Sequence, residues 1–181
     1  MAGIIVRHCA PTLAGLKLGN LFSYKYEDID ELNCIIHEQN KELNKKGVYF
    51  VLVRAKDGMA LIYVFRGRQL AARLKNPEVQ DFLKTLGYTE FTVEACLNRL
   101  QDRLLNDDFP HEIGVFLGYP LNDIIAFIDN KGANYKCSGF WKAYYNVQEA
   151  EKTFRRFNKC IKIYCQKHME GTDLQRLTVA V

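Results

Sequence analysis

The chain is short of proline, of long apolar runs and of any large excess of charge, and each shortage removes a class of protein. Four prolines in 181 residues and no Ser- or Gly-rich stretch leave nothing that reads as a disordered linker. No apolar run approaches the roughly 20 residues that cross a bilayer. Arg7 and His8 interrupt the apolar start before any cleavage pattern, so no secretory leader is expected. A net charge of +4 is too small to argue for nucleic acid by itself. No Cys-x-x-Cys pair occurs, which removes a thioredoxin-like dithiol. Six cysteines without secretion signals read as reduced thiols, which points to a cytoplasmic protein with no membrane partner.

What is present is an ordinary globular composition, 48% hydrophobic and 25% charged, long enough for one domain spanning 1–181. Residues 4–7 read as a strand or turn, followed by a short helix that Pro11 opens and Gly15 or Gly19 stops. Asp28 and Glu31 form a capping-box start for a helix reaching about Lys46, which Gly47 ends. Residues 48–54 and 59–66, joined by Ala55-Lys56-Asp57-Gly58, form a hairpin. Both arms are apolar at nearly every position, so helices should cover both faces. Helices are expected from Asn76-Pro77 to Gly87 and over 92–106. Then come a buried strand at 112–117, a helix at 120–130, a strand at 135–145 and a long helix from Asn146 to His168. The expected fold is α/β, bordering on α+β: one mixed sheet of about four to five strands with helices packed on it. The sheet should hold the hairpin, 112–117 and part of 135–145.

Two strand-to-helix corners carry the reactive residues. Cys9 sits just ahead of the helix that Pro11 opens, where free backbone N–H groups would stabilise a thiolate. Its competing reading is a small buried residue filling a corner. His8 is adjacent, but neighbours on an extended backbone point to opposite faces. His111 and Glu112 could handle protons or serve as ligands; a strand lets only one of them face a given pocket. No second histidine follows at helical spacing, so the pair is not a zinc-protease motif. The Gly118-Tyr119-Pro120 corner could hold an anion at a helix start. Asp123, in that first turn, already complements the dipole and favours a structural corner. Cys34 with His37 and Cys165 with His168 have ligand spacing, but their helical faces do not converge and no metal site is expected. Lys152, Arg155, Arg156, Lys159 and Lys162 run along one side of the last helix, opposite its apolar face, as a solvated stripe or a surface for an acidic protein. Few aromatics share that side, so nucleic acid is not expected. Trp141, with Tyr119 and Tyr135, could line a pocket for a flat ligand, or could pack in the core.

These same pieces carry a resemblance. His8-Cys9-Ala10-Pro11-Thr12-Leu13-Ala14-Gly15-Leu16-Lys17, Asn20-Leu21-Phe22, the run from His111 to Pro120, and Trp141-Lys142-Ala143-Tyr144 are spread over nearly the whole chain. With them the chain resembles the family catalogued as domain of unknown function 3793, small proteins found mainly in anaerobic Gram-positive bacteria. The resemblance implies a bacterial, cytosolic, single-domain protein and no particular reaction or cofactor. Two functions lead, with a metal-binding protein using Cys and His side chains as a third, weaker option. One is a non-catalytic ligand-binding or regulatory module, with His8, Lys17, Glu112, Tyr119 and Trp141 as binding residues for a small molecule. The other is a thiol-dependent enzyme or redox protein, with Cys9 as nucleophile assisted by His111 or Lys17.

Overall fold

In the computed structural model, which describes residues 1–106 and 109–180, helices cover both faces of a small antiparallel sheet. In chain order the elements are α1 (Ala2–Leu13), β1 (Gly19–Lys25), α2 (Ile29–Leu43), a 3₁₀ turn (Asn44–Lys46), β2 (Val48–Lys56), β3 (Met59–Arg66), α3 (Gly67–Leu74), α4 (Pro77–Lys84), α5 (Val93–Asn106), α6 (Ile113–Phe116), α7 (Leu121–Asp129), β4 (Cys137–Ser138), β5 (Lys142–Ala143), α8 (Val147–Met169) and α9 (Leu174–Leu177). The main sheet has the order β1-β3-β2, and β4 pairs only with β5.

The strand with the most apolar sequence lies in the middle, where both faces are covered. Along β3, Ala60, Ile62 and Val64 face a core shared with Ile5, Cys9 and Leu13 of α1, Leu32 and Ile36 of α2, and Leu174 and Leu177 of α9. Leu61, Tyr63 and Phe65 face the opposite core, built by α3, α4, α5, α6 and the start of α7. This alternation follows from the two-residue period of a strand. The register slips once, between Leu52 and Arg54 of β2, so that Val53 is an extra residue opposite β3.

The hairpin and the helices at α2, α4, α5, α7 and α8 form where the sequence puts them. Asp28 caps α2 by accepting from Asp30 and Glu31 N–H, Asn76 caps α4 through Val79 N–H, and Thr92 accepts from Ala95 N–H at the start of α5.

Elsewhere the expectation is corrected. The sheet is not a mixed sheet of four to five strands; it has three strands, all antiparallel, with a separate two-residue ladder beside it. Residues 4–7 are helical, because Ile5, Val6, Cys9, Ala10 and Leu13 fall on one helical face that the sheet buries. Pro11 therefore sits in the last turn of α1 rather than opening a helix. The carbonyl it leaves without a partner is that of exposed Arg7, where water can bond to it. The run 112–117 is one turn of helix between two loops, not a strand. Of 135–145, only four residues pair. The missing strand is β1, whose signal was present in Phe22, Tyr24 and Tyr26 at two-residue spacing; all three pack on the α1–α2 side.

One side chain joins most of these parts. Arg66, at the end of β3, is 2% exposed. Its guanidinium donates to the carbonyls of Thr12 and Leu13 at the end of α1, Lys46 in the 3₁₀ turn and Val179 near the C-terminus. Its backbone N–H donates to Leu18. A charged donor of this kind stabilises each acceptor more than a neutral one, and losing it removes four hydrogen bonds that join three separate segments. Arg66→Met should therefore cost at least about 3 kcal/mol of unfolding free energy in a urea titration. A loss below about 1 kcal/mol would show that water or repacking replaces those bonds.

Candidate functional site

The loop after α6 turns sharply at Gly118 (φ 76°), where a Cβ would come within 2.8 Å of Leu18 Cβ. The turn brings Tyr119 out of the α6–α7 corner, and Arg73 of α3 holds its carbonyl at 2.8 Å. Opposite stands Trp141, at the tip of the β4–β5 hairpin, with ring centroids 5.3 Å apart. The Trp141 ring also packs edge-on against Phe154 of α8 at 4.5 Å.

The hairpin tip is fixed by Asp123, in the first turn of α7. This carboxylate is only 5% exposed and accepts three N–H groups: Trp141 Nε1 at 2.9 Å, Tyr144 N at 2.9 Å and Tyr145 N at 3.2 Å. Satisfying a buried carboxylate in this way keeps its charge tolerable. It also explains why 135–145 is not a long strand, since two backbone donors that would extend a ladder go to Asp123 instead. The sequence reading of Asp123 as a dipole partner missed this role. A carboxylate in a first helical turn looks the same whether it faces solvent or a neighbouring hairpin.

Tyr119 and Trp141 form a wall between two cavities that also share Leu117 and Asp123. The first cavity, about 310 Å³, is apolar, bounded by Phe109, His111, Ile124 and Phe127 as well as the wall. The His111 ring meets Phe127 edge-on at 4.9 Å. The second, about 330 Å³, lies between the corner and α8 and is lined by Lys17, Asn122, Tyr145, Thr153 and Arg156 among others.

Lys17 projects from the turn after α1, where its N–H and that of Leu16 both bond to Pro11 O. The side chain is 5% exposed, its Nζ donates to Gly19 O and lies 5.2 Å from the Tyr119 ring centroid. Burial pulls its pKa from 10.5 down to about 7, with the nearby Cys9 pulling weakly the other way. Burial also pushes the Tyr119 hydroxyl up to about 12.

Of the residues singled out from the sequence, Lys17, Tyr119 and Trp141 line one cavity, and His111, Tyr119 and Trp141 line the other. Cys9, Glu112, His8 and Tyr135 line neither cavity. Cys9 is fully buried in the middle of α1, on the sheet face opposite His111's cavity, and lines neither cavity. It is eight residues inside α1 rather than ahead of a helix, so the positive end of a dipole does not reach it; burial raises its thiol pKa far above the ordinary value. Cys9 and His111 are therefore not a pair. Glu112 is 2% exposed and accepts from Arg103 and from Tyr88 Oη at 3.3 Å, which makes it the anion of a core ion pair. His8 is exposed and stacks on Phe22 at 5.8 Å. The basic residues of α8 are exposed, but Arg156 also lines the second cavity, a place its position on a charged stripe did not reveal. Among the described residues no three His, Cys, Asp or Glu side chains gather as a metal-binding group, and no helix is long and apolar enough to cross a membrane.

A family model described as protein of unknown function (DUF3793) matches residues 5–178. No curated protein and no solved structure matches the chain.

Two measurements check these assignments. The unfolded chain keeps the Lys17 proton up to about 10.5, while the folded chain releases it near 7, so unfolding takes up a proton between those values. Stability should rise with pH from 7 to about 9, by at most ~1.4 kcal/mol per pH unit, and Lys17→Met should remove that slope. Above 9, the buried thiols of Cys9, Cys96 and Cys160 act in the opposite sense, because they ionise only in the unfolded chain.

Iodoacetamide at neutral pH should alkylate exposed Cys34 in the native protein and leave Cys9 unmodified until the fold is opened by denaturant. Rapid labelling of native Cys9 would restore the thiol reading.

Proposed function

This chain belongs to the DUF3793 family, and we propose that it is a ligand-binding protein that takes a flat, apolar small molecule against Tyr119 and Trp141. The observation that carries this reading is the apolar cavity of about 310 Å³ walled by Phe109, His111, Ile124, Phe127 and Trp141. A site of this size, lined mainly by apolar and aromatic side chains with few polar groups, is the usual form of a small-molecule pocket. Phe109 stays 47% exposed at its edge, an apolar ring left at the surface where a ligand would cover it. The Asp123 bonds hold the Trp141 side of the wall in place before any ligand arrives, which lowers the entropy lost on binding.

His111 contributes a ring face and an N–H at the rim, and can fix the orientation of a ligand without acting on it. The reading of Cys9 as a nucleophile has less support, since its thiol is sealed in the core and held protonated. Six free cysteines accord with a reducing cytosol, and an anaerobic bacterial host would expose them to little oxidation.

Trp141 is the only tryptophan, so its emission reports on this wall alone. A neutral apolar dye such as Nile red should bind, brighten and quench Trp141. Phe109→Ala and His111→Ala together should weaken that binding about tenfold, the effect of ~1.4 kcal/mol. Both residues are exposed, so the melting temperature should stay within about one degree, as for surface substitutions. Equal dye affinity in the wild-type and double-substituted proteins would overturn the assignment of the cavity.

A further inference from the structure

The second cavity, on the other face of the Tyr119–Trp141 wall, has a different chemistry from the first. Two helices start at its edge. α7 begins after Pro120 and α8 after Asn146, and neither has a side-chain cap hydrogen bond. Pro120, Asn122, Asn146 and Glu149, which all lie at these two starts, line the cavity. The first N–H groups of a helix have no partner within it, and the aligned peptide dipoles make such an end positive.

Two cations lie at the same place. Lys17 is nine-tenths buried, and of its three possible donors one is bonded, to Gly19 O. Arg156 reaches the cavity from the third turn of α8 and makes no ion pair among the described residues. The two carboxylates that line the cavity have partners of their own. Asp123 has turned both oxygens toward the β4–β5 segment, and Glu149, 70% exposed, lies 3.7 Å from Lys152. Asp123 keeps its charge in the first turn of α7, but its two oxygens are taken up by three N–H donors of the hairpin.

We propose that this cavity is a binding site for a phosphorylated small molecule, with the phosphate held by Lys17, Arg156 and the starts of α7 and α8. Such an anion satisfies free N–H donors and both positive ends at once. A volume of about 330 Å³ exceeds what a bare phosphate fills, and Tyr119 and Tyr145 offer ring faces for an attached organic body. The two cavities share the Tyr119–Trp141 wall, but Lys17, Arg156 and the two helix starts line only this one, so the phosphate contacts are tested separately from the function proposed above.

Binding is coupled to a proton. An empty cavity leaves the Lys17 amine partly neutral at pH 7, and a phosphate beside it favours the ammonium form, so binding should take up a proton. Cys9 of α1 and the Tyr119 ring act on Lys17, and Asp123, Tyr145, Glu149 and Arg156 are the other titratable or charged groups that line the cavity with it. Burial holds the Cys9 thiol and the Tyr119 hydroxyl neutral over this range, and Asp123 accepts from three N–H donors of the β4–β5 segment.

The test is isothermal titration calorimetry of the full chain with phenyl phosphate, in two buffers of different ionisation enthalpy, from pH 7 to 9. Inorganic phosphate, benzoate and benzyl alcohol are the comparison ligands. Phenyl phosphate should bind best, with net proton uptake and an affinity that falls as pH rises through this range. Lys17→Met should weaken it at least tenfold and remove the proton uptake, and Arg156→Gln should weaken it several-fold. Phe109→Ala should leave it unchanged, which separates this site from the apolar cavity. Should Lys17→Met fail to fold, proton uptake by the native chain and the effect of Arg156→Gln decide the matter. Benzoate binding as well as phenyl phosphate would overturn the choice of phosphate. Benzyl alcohol binding equally, or affinity unaffected by both substitutions, would overturn the site itself.

Discussion

The guanidinium of Arg66 is the point on which the arrangement depends. Helix α1, the 3₁₀ turn before β2 and the C-terminal tail are far apart in sequence, and each brings a backbone carbonyl to the same point. One buried cation at the end of the central strand takes carbonyls from all three. Because it fixes the end of α1, it also fixes the turn that follows. That turn carries Lys17, whose N–H bonds to Pro11 O, and leads into Leu18, which accepts from the Arg66 N–H. Gly19 completes the crossing. A Cβ there would come within 2.7 Å of the Tyr63 ring and 2.9 Å of Phe116 O, so only glycine lets β1 pass this close to β3 and α6.

A second buried charge does for the cavities what Arg66 does for the sheet. Asp123 joins α7 to a hairpin that has almost no ladder of its own and whose support is the packing of Phe140, Trp141 and Ala143 against α8. The wall between the cavities is therefore held by one carboxylate and one aromatic cluster rather than by a sheet. The two sides of this wall differ in chemistry because different elements complete them. Apolar positions of α6 and α7 close one side, and two helix starts with Lys17 and Arg156 close the other.

What could be read along the chain was whatever local chemistry decides. The hairpin followed from Ala55-Lys56-Asp57-Gly58 between two apolar runs, and in the structure Asp57 and Gly58 both take the positive φ that such a turn needs. The caps at Asp28, Asn76 and Thr92 set helix starts because their side chains bond to backbone N–H groups only a few residues on. Short apolar runs were misread. Ile4-Ile5-Val6 and Ile113 to Leu117 are too short for periodicity to separate strand from helix, and both lie in helical turns. Tyr119, Trp141, Lys17 and His111 stood out in the sequence as types able to make a site; nothing in their spacing showed that they divide between two cavities.

The sequence by itself determined the elements whose stabilising contacts lie within a few residues: the capped helices, the hairpin turn and the alternation that buries β3 on both faces. It also supplied the residue types from which a pocket could be made. Only the tertiary structure decided that Cys9 is sealed between α1 and the sheet, that Glu112 pairs with Arg103 in the core, and that Asp123 bonds to the hairpin. The reason is the reach of the interactions. A cap or a turn is settled by its own neighbours, whereas the charge state and exposure of a side chain depend on what packs against it. Here those partners come from 9 residues away for Arg103 and Glu112, 18 for Trp141 and Asp123, and 113 for Arg66 and Val179.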